Sequence, residues 1–235
     1  MATIYSNRND GVGYEVNANP NATSTWAGGV VPNAADQVYV VGRRTTWNSG
    51  NVYKWTGTRT CTVASTTGFA TNGYFYTVTT DGQILKINYT GITSTTFTNC
   101  IVDDTFDLLY DNGWETTRNN GYIANGYYVL NPSLILEIKA GQNFTCNEMI
   151  IQEGGYVLVH QGGTLTVNQG LLVRDGWLLG RGEGNIVIQR PAGSLTTIGY
   201  FTGENYYMSV IDIEGGENRV YATTTQNVNI GDVSI

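Results

Sequence analysis

Asp103, Asp104, Asp107 and Asp111, followed by Glu115, form the one acidic cluster of the chain and the first place to look for chemistry. Paired carboxylates can act as acid and base in glycoside cleavage, where their separation selects the inverting or retaining route. Adjacent residues of a strand point to opposite faces, so Asp103 and Asp104 enter one cleft only if the backbone turns there. A solvated loop or a weak cation site therefore fits the cluster better than catalysis, and calcium would need carboxylates and carbonyls that converge. His160 is the single histidine, so a Ser-His-Asp arrangement would have to use it as base. Strand alternation sets it opposite Val157 and Val159, on an outward face, and no Gly-x-Ser-x-Gly is present. The glycines of 180–184 lack the lysine and the helix start of a phosphate loop and read as a turn. Cys61, Cys100 and Cys146 are odd in number and far apart, which predicts reduced, buried thiols rather than a disulfide framework or a zinc site. No catalytic, cofactor-binding or metal-binding residue is expected.

Aromatic residues carry the remaining signal. Sixteen Tyr and five Trp are present, many beside Gly or Asn, as in Asn72-Gly-Tyr-Phe-Tyr76, Asn120-Gly-Tyr122 and Asn125-Gly-Tyr-Tyr128. Tyrosine offers a flat apolar face with a polar end, which suits strand faces, protein interfaces and sugar stacking alike. Tyr74, Tyr76, Tyr122, Tyr127 and Tyr128 are the candidate contact residues, for another subunit or a glycan. Trp114 and Trp177 are assigned to neither.

These side chains must be positioned by strands. Between 136 and 188, apolar pairs recur at a spacing near eight: Met149 and Ile151, Val157 and Val159, Leu165 and Val167. Glycines keep the same beat at Gly154, Gly162 and Gly170 and again at Gly155 and Gly163. The pattern predicts short strands, each burying one face, in a β-solenoid or a meander. Further strands are expected near 37–42, 52–55, 60–64, 74–79, 84–89, 97–102 and 127–130, with Ser209–Ile213 and Arg219–Tyr221 beyond the ladder. Asp81-Gly82 marks a hairpin turn. Asp103–Tyr110 is the one candidate for a helical turn or two. Residues 1–25 read as an extended arm, 26–130 as an irregular Thr/Asn/Tyr-rich β region, and 131–235 as the ladder with short C-terminal strands.

Composition narrows the function classes. With 235 residues the chain can bury a substantial core. Only 13% of residues are charged, and the net charge of −7 argues against a surface that wraps nucleic acid. Arg43-Arg44, the one adjacent basic pair, is expected at a solvated strand edge. No apolar run is long enough to span a bilayer as a helix, and the first residues lack the basic and apolar regions of a secretory signal, so synthesis and retention in a host cytoplasm are expected.

The stretch Trp26-x-Gly-Gly-x-x-Pro-x-x-x-Asp-x-Val-x-Val resembles the opening segment of many right-handed parallel β-helix proteins. Together with the ladder, it resembles the β-helical structural proteins of tailed bacteriophages, including capsid decorations, fibres and tail spikes. That resemblance implies an all-β chain built as a right-handed parallel β-helix with an irregular insertion or small β-sandwich, the alternative being a sandwich or meander. It implies a Trp26 and Pro32 that cap the first coil. It further implies a non-enzymatic virion protein, decorating or stabilising the capsid or forming an accessory fibre or tail part. The implied partners are itself, as a homotrimer, and major capsid or tail proteins; neither nucleic acid nor membrane insertion is expected. A receptor- or glycan-binding module that grips a host surface glycan is the alternative, and a polysaccharide-degrading tail spike a further one. Against the last, the Asn-Thr-Asp, Gly-His-Gly and Arg-x-Lys segments of pectinolytic β-helix enzymes are absent.

Overall fold

The computed structural model describes residues 1–8, 16–53, 57–80, 84–103, 122–174, 176–180, 185–188, 199–200, 210–213 and 221–222. Among them the chain is all-β, with one 3-10 turn at Thr23–Thr25 and no α-helix. A curled antiparallel sheet stands beside a set of parallel sheets.

The apolar pairs of the ladder build the parallel part. One sheet runs Thr3–Tyr5, Gln37–Val41, Asn143–Gln152, Thr164–Arg174, Asn185–Ile188 and Tyr221–Ala222, with Gly199–Tyr200 also on Thr164–Arg174. The other runs Val16–Ala18, Leu134–Ile138, Tyr156–Val159, Trp177–Gly180 and Val210–Ile213. From Leu134 to Ile188 the chain alternates between the two. Hydrogen-bonded neighbours lie 21 residues apart, as in Leu136 to Val157 to Leu178 and Phe144 to Leu165. The eight-residue beat is thus the step from one strand to the next around the chain's circuit, not the step between paired strands. Two steps of eight and one of six carry the chain from Met149 to its neighbour Leu171.

A register shift between Cys146 and Glu148 divides the long strands into two stretches. At that corner the Asn147 amide donates to Gln169 Oε1 at 3.2 Å and its backbone N–H to the Asp36 carbonyl at 2.8 Å. Inward residues from the second sheet and from both stretches of the first share one core: Leu136 and Val157 from the second sheet, Phe144 and Leu165 from one stretch, Met149 and Val38 from the other. Each such aliphatic side chain contributes about 1.5–3 kcal/mol of transfer free energy before chain entropy is subtracted. Between strands the chain must turn almost against its own neighbours. Gly154 turns at φ +86°, and a Cβ on Gly155 would overlap the Val40 carbonyl.

Trp26 closes the N-terminal end of this core. Its indole is 1% exposed, stacks on Phe144 at 5.6 Å, and donates to the Pro20 carbonyl at 2.7 Å. Pro32 is buried and Val31 packs against the same cluster. Residues 1–25, expected as an arm, instead contribute strands to both parallel sheets: Thr3–Tyr5 pairs with Gln37–Val41, and Val16–Ala18 with Leu134–Ile138. Ile4 and Ala18 bury their side chains there, which is what holds such short strands in place.

The region expected as one irregular unit over 26–130 is divided as well. Gln37–Val41 belongs to the parallel sheet, and the antiparallel sheet begins only at Arg43. Its order is Arg43–Thr46, Tyr128–Asn131, Gly73–Val78, Ile84–Tyr89, Thr96–Val102 and Arg59–Thr62, with Gly91–Ile92 on Thr96–Val102. Val52–Tyr53 and Tyr122–Ile123 form a separate pair. The expected hairpin across Asp81-Gly82 pairs Val78 with Ile84, while its turn lies outside the described residues. The curled sheet encloses an aromatic core of its own, in which Phe75 meets Phe97 at 4.8 Å and Phe97 meets Tyr89 at 4.6 Å. Arg43, expected at a solvated edge, is buried: alternation turns it inward while Arg44 faces out. The Arg43 guanidinium lies against Gly68 and donates to the Arg8 carbonyl at 3.2 Å.

Candidate functional site

The strand Gly73–Val78 is covered on both faces. Phe75 enters the antiparallel core, whereas Tyr74, Tyr76 and Val78 join Leu130 in a second cluster. That cluster is completed by Ile135, Tyr156 and Trp177 on the outer face of the parallel sheet. Trp177 is fully buried, 5.1 Å from the Tyr76 ring and 6.0 Å from that of Tyr156. Tyr74 and Tyr76, expected as contacts for a partner or glycan, therefore form the seam between the two halves of this chain. Their faces are spent on Trp177 and its neighbours, because the outer face of the parallel sheet supplies the partner that the sequence left open.

Tyr122, Tyr127 and Tyr128 stay half-buried. Tyr127 packs at the rim of both the aromatic core and the seam, and the Arg44 guanidinium sits 4.8 Å from the Tyr128 ring centroid. A cation over a tyrosine face is an ordinary surface element of recognition. These three are the members of the expected set that keep part of their surface exposed.

Asp103 forms an ion pair with Lys86 at 3.6 Å, and the same ammonium lies 4.5 Å from the Tyr74 ring centroid. Its carboxylate thus helps hold the rim of the seam. Asp104, Asp107, Asp111, Glu115 and Trp114 lie outside the described residues, as does most of the Asp103–Tyr110 segment. His160 faces outward as alternation predicts, with Nε2 3.3 Å from Glu137 Oε1. Lys139 Nζ approaches Glu137 Oε2 at 3.0 Å, so one nearly buried carboxylate serves two surface bases. Among the described residues no group of three or more His, Cys, Asp or Glu side chains is arranged to hold a metal ion.

Asp36, the acid of the Asp-x-Val segment, receives the backbone N–H of Ala2 at 2.9 Å, that of Asn33 at 3.1 Å, and the Asn33 side-chain amide at 2.6 Å. These bonds, led by the Ala2 and Asn33 backbone amides, favour the carboxylate and hold the Asp36 pKa below the usual carboxylate value. Asp36 thereby ties the start of the chain to the turn before Gln37–Val41.

One surface was missed by sequence reasoning. On the outer side of the first parallel sheet, Tyr5, Tyr39, Ile150 and Leu172 stand in a single row across four strands. Tyr5 is 45% exposed and stacks on Tyr39 at 4.7 Å. Beside them Gln37 donates to Glu148 Oε2 at 2.6 Å. The row joins residues far apart in sequence through parallel register alone. Its only sequence signal is that each occupies an outward position in a period-two strand.

Compared with protein-family models, with curated proteins and with solved structures, the chain matches none.

Proposed function

We propose that the chain is a non-enzymatic structural protein of a bacteriophage virion, decorating or stabilising the capsid or forming an accessory fibre or tail part. In this reading the parallel sheets are coils of a right-handed β-solenoid, the antiparallel sheet is a lateral insertion, and the protein assembles as a homotrimer. The observation that carries it is the seam. Tyr74, Tyr76 and Leu130 from one half lock onto Ile135, Tyr156 and Trp177 from the other, making one stiff body from two sheets. Stiffness of that kind suits a building part, and the resemblance of the Trp26 segment and the ladder to phage β-helical proteins supplies the assembly. The test is to mix the purified full chain with phage particles and follow co-sedimentation, alongside analytical ultracentrifugation of the free protein. Stable trimers that co-sediment with particles are expected; a folded monomer that never binds them refutes the proposal.

A second reading, a glycan-binding module, is favoured by the half-exposed Tyr122, Tyr127 and Tyr128 with Arg44 over the last. It expects Tyr127→Ala and Tyr128→Ala to weaken adsorption to host polysaccharide. Unchanged adsorption removes it.

A further inference from the structure

We propose that Cys61 and Cys100 form a redox latch, a pair of thiols that closes to a cross-strand disulfide in the presence of a small disulfide oxidant and staples the last strand of the antiparallel sheet to its neighbour. Arg59–Thr62 ends that sheet and pairs with Thr96–Val102. Phe97 lies opposite Cys61 and Cys100 opposite Arg59, with a register shift between them where Asn99 turns at φ +53°. Regular alternation would send Phe97 and Cys100 to opposite faces. The bulge brings both inward, so Cys100 faces the same aromatic core as Cys61. Both side chains are completely buried there, and Cys100 is the leading influence on the Cys61 thiol. Two thiols on paired strands that face one core need only a local adjustment of the strands to reach bonding geometry.

The same burial that aligns the pair protects it. The interaction with Cys100 and then desolvation favour the protonated form of Cys61, and the burial of both sulfurs keeps an oxidant out while the core is closed. Reaction proceeds from an opened edge. On its far side Arg59–Thr62 is held by the Trp47/Val63 bridge, by the Asn48 N–H to the Thr62 carbonyl, and by the Ser49 hydroxyl, which donates to that carbonyl at 3.0 Å and accepts from the Thr62 N–H, and such an edge opens at less cost than the whole fold. A thiolate from one cysteine attacks oxidised glutathione, releasing one reduced glutathione and leaving a mixed disulfide. The second cysteine, as thiolate, attacks the protein sulfur of that bond and expels a second glutathione. One glutathione disulfide is reduced, one protein disulfide forms, and the two thiol protons end on the two glutathiones. Cys146 is the internal control, because it is sealed in the parallel core, where burial pushes its thiol up to about 12.

The test equilibrates the full chain with oxidised glutathione in mild urea, removes the urea, alkylates the remaining thiols and maps the peptides by mass spectrometry. A Cys61–Cys100 cross-link is expected, with two hydrogens lost, no retained glutathione, Cys146 alkylated, and a thermal midpoint raised until dithiothreitol reverses it. The Cys100→Ser variant is expected to retain glutathione on Cys61 instead. Three alkylated thiols at equilibrium, glutathione kept on Cys61 or Cys100 of the wild type, or a cross-link through Cys146 overturns the proposal. The latch is independent of the virion reading.

Discussion

Truncating Trp177 tests the seam directly. Its side chain is fully enclosed between its own sheet, where Tyr156 lies beside it, and Tyr76 of the antiparallel sheet, so Trp177→Ala removes the largest member of the cluster from a site that cannot collapse without moving one sheet toward the other. Comparable truncations of buried tryptophan cost about 3–5 kcal/mol. At an ordinary denaturant slope this lowers the urea midpoint by about 1–2 M. Trp177→Phe is expected to behave differently. The indole Nε1 has no hydrogen-bond partner among the described residues, so phenylalanine relieves an orphan worth about 1–3 kcal/mol. It loses about 1 kcal/mol through the smaller ring. The assay is urea unfolding followed by near-UV circular dichroism and by intrinsic fluorescence. Wild type and Trp177→Phe should each show coincident transitions, the phenylalanine midpoint lying at that of wild type or up to about 1 M above it; Trp177→Ala should show a lowered midpoint and transitions that separate, as the two cores lose their coupling. A loss below about 1 kcal/mol for the alanine variant, with coincident transitions, would show that the two halves are merely tethered.

Gly155→Ala should cost about 1–3 kcal/mol or more, since its Cβ would overlap the Val40 carbonyl, whereas Gly170→Ala, with open space around the position, should be neutral or gain about 0.4–1 kcal/mol; differential scanning calorimetry separates them, and equal effects would refute the packing argument. Asp36 is depressed in the folded state, so its contribution is complete above the unfolded value of 3.8 and is lost as pH falls through the lower folded value. The advantage of wild type over Asp36→Asn in chemical denaturation should hold at neutral pH and shrink in that acid range, and an advantage that grows on acidification would contradict the assignment.

Much of the strand content is written in period two. Val38 and Val40, Met149 and Ile151, and Leu165 and Val167 are apolar at alternate positions and are all fully buried. The expected strands near 74–79, 84–89 and 97–102 fall on Gly73–Val78, Ile84–Tyr89 and Thr96–Val102. What period two cannot carry is which strands pair. The 21-residue register emerges only when the chain closes a circuit, because the local spacing reports the next strand around and not the one alongside. Thr3–Tyr5 and Val16–Ala18 escaped notice for a related reason. Three residues hold too little pattern, and their partners at Gln37–Val41 and Leu134–Ile138 lie far along the chain.

The tyrosine question had the same physical root. In Gly73–Val78 every residue after the glycine is buried, so the run Tyr-Phe-Tyr carries no alternation to mark an outer face. An unbroken apolar strand signals cover on both sides, and here the second cover is the parallel sheet itself. The connection explains why that cover is needed. The chain leaves one parallel sheet after Val41 and enters the other at Leu134, and its two crossing points meet: Arg43 pairs with Asn131, and a Cβ on Gly42 would come within 2.6 Å of the Asn131 carbonyl oxygen. An insertion that departs and rejoins at one point is easily accommodated by a fold, but held only there it could swing as a unit. The seam adds a second attachment, one strand further along at Tyr156 and two at Trp177. Two separated attachments remove the swing, and the tyrosines that looked like an offer to an outside partner are what fix this sheet to its own chain.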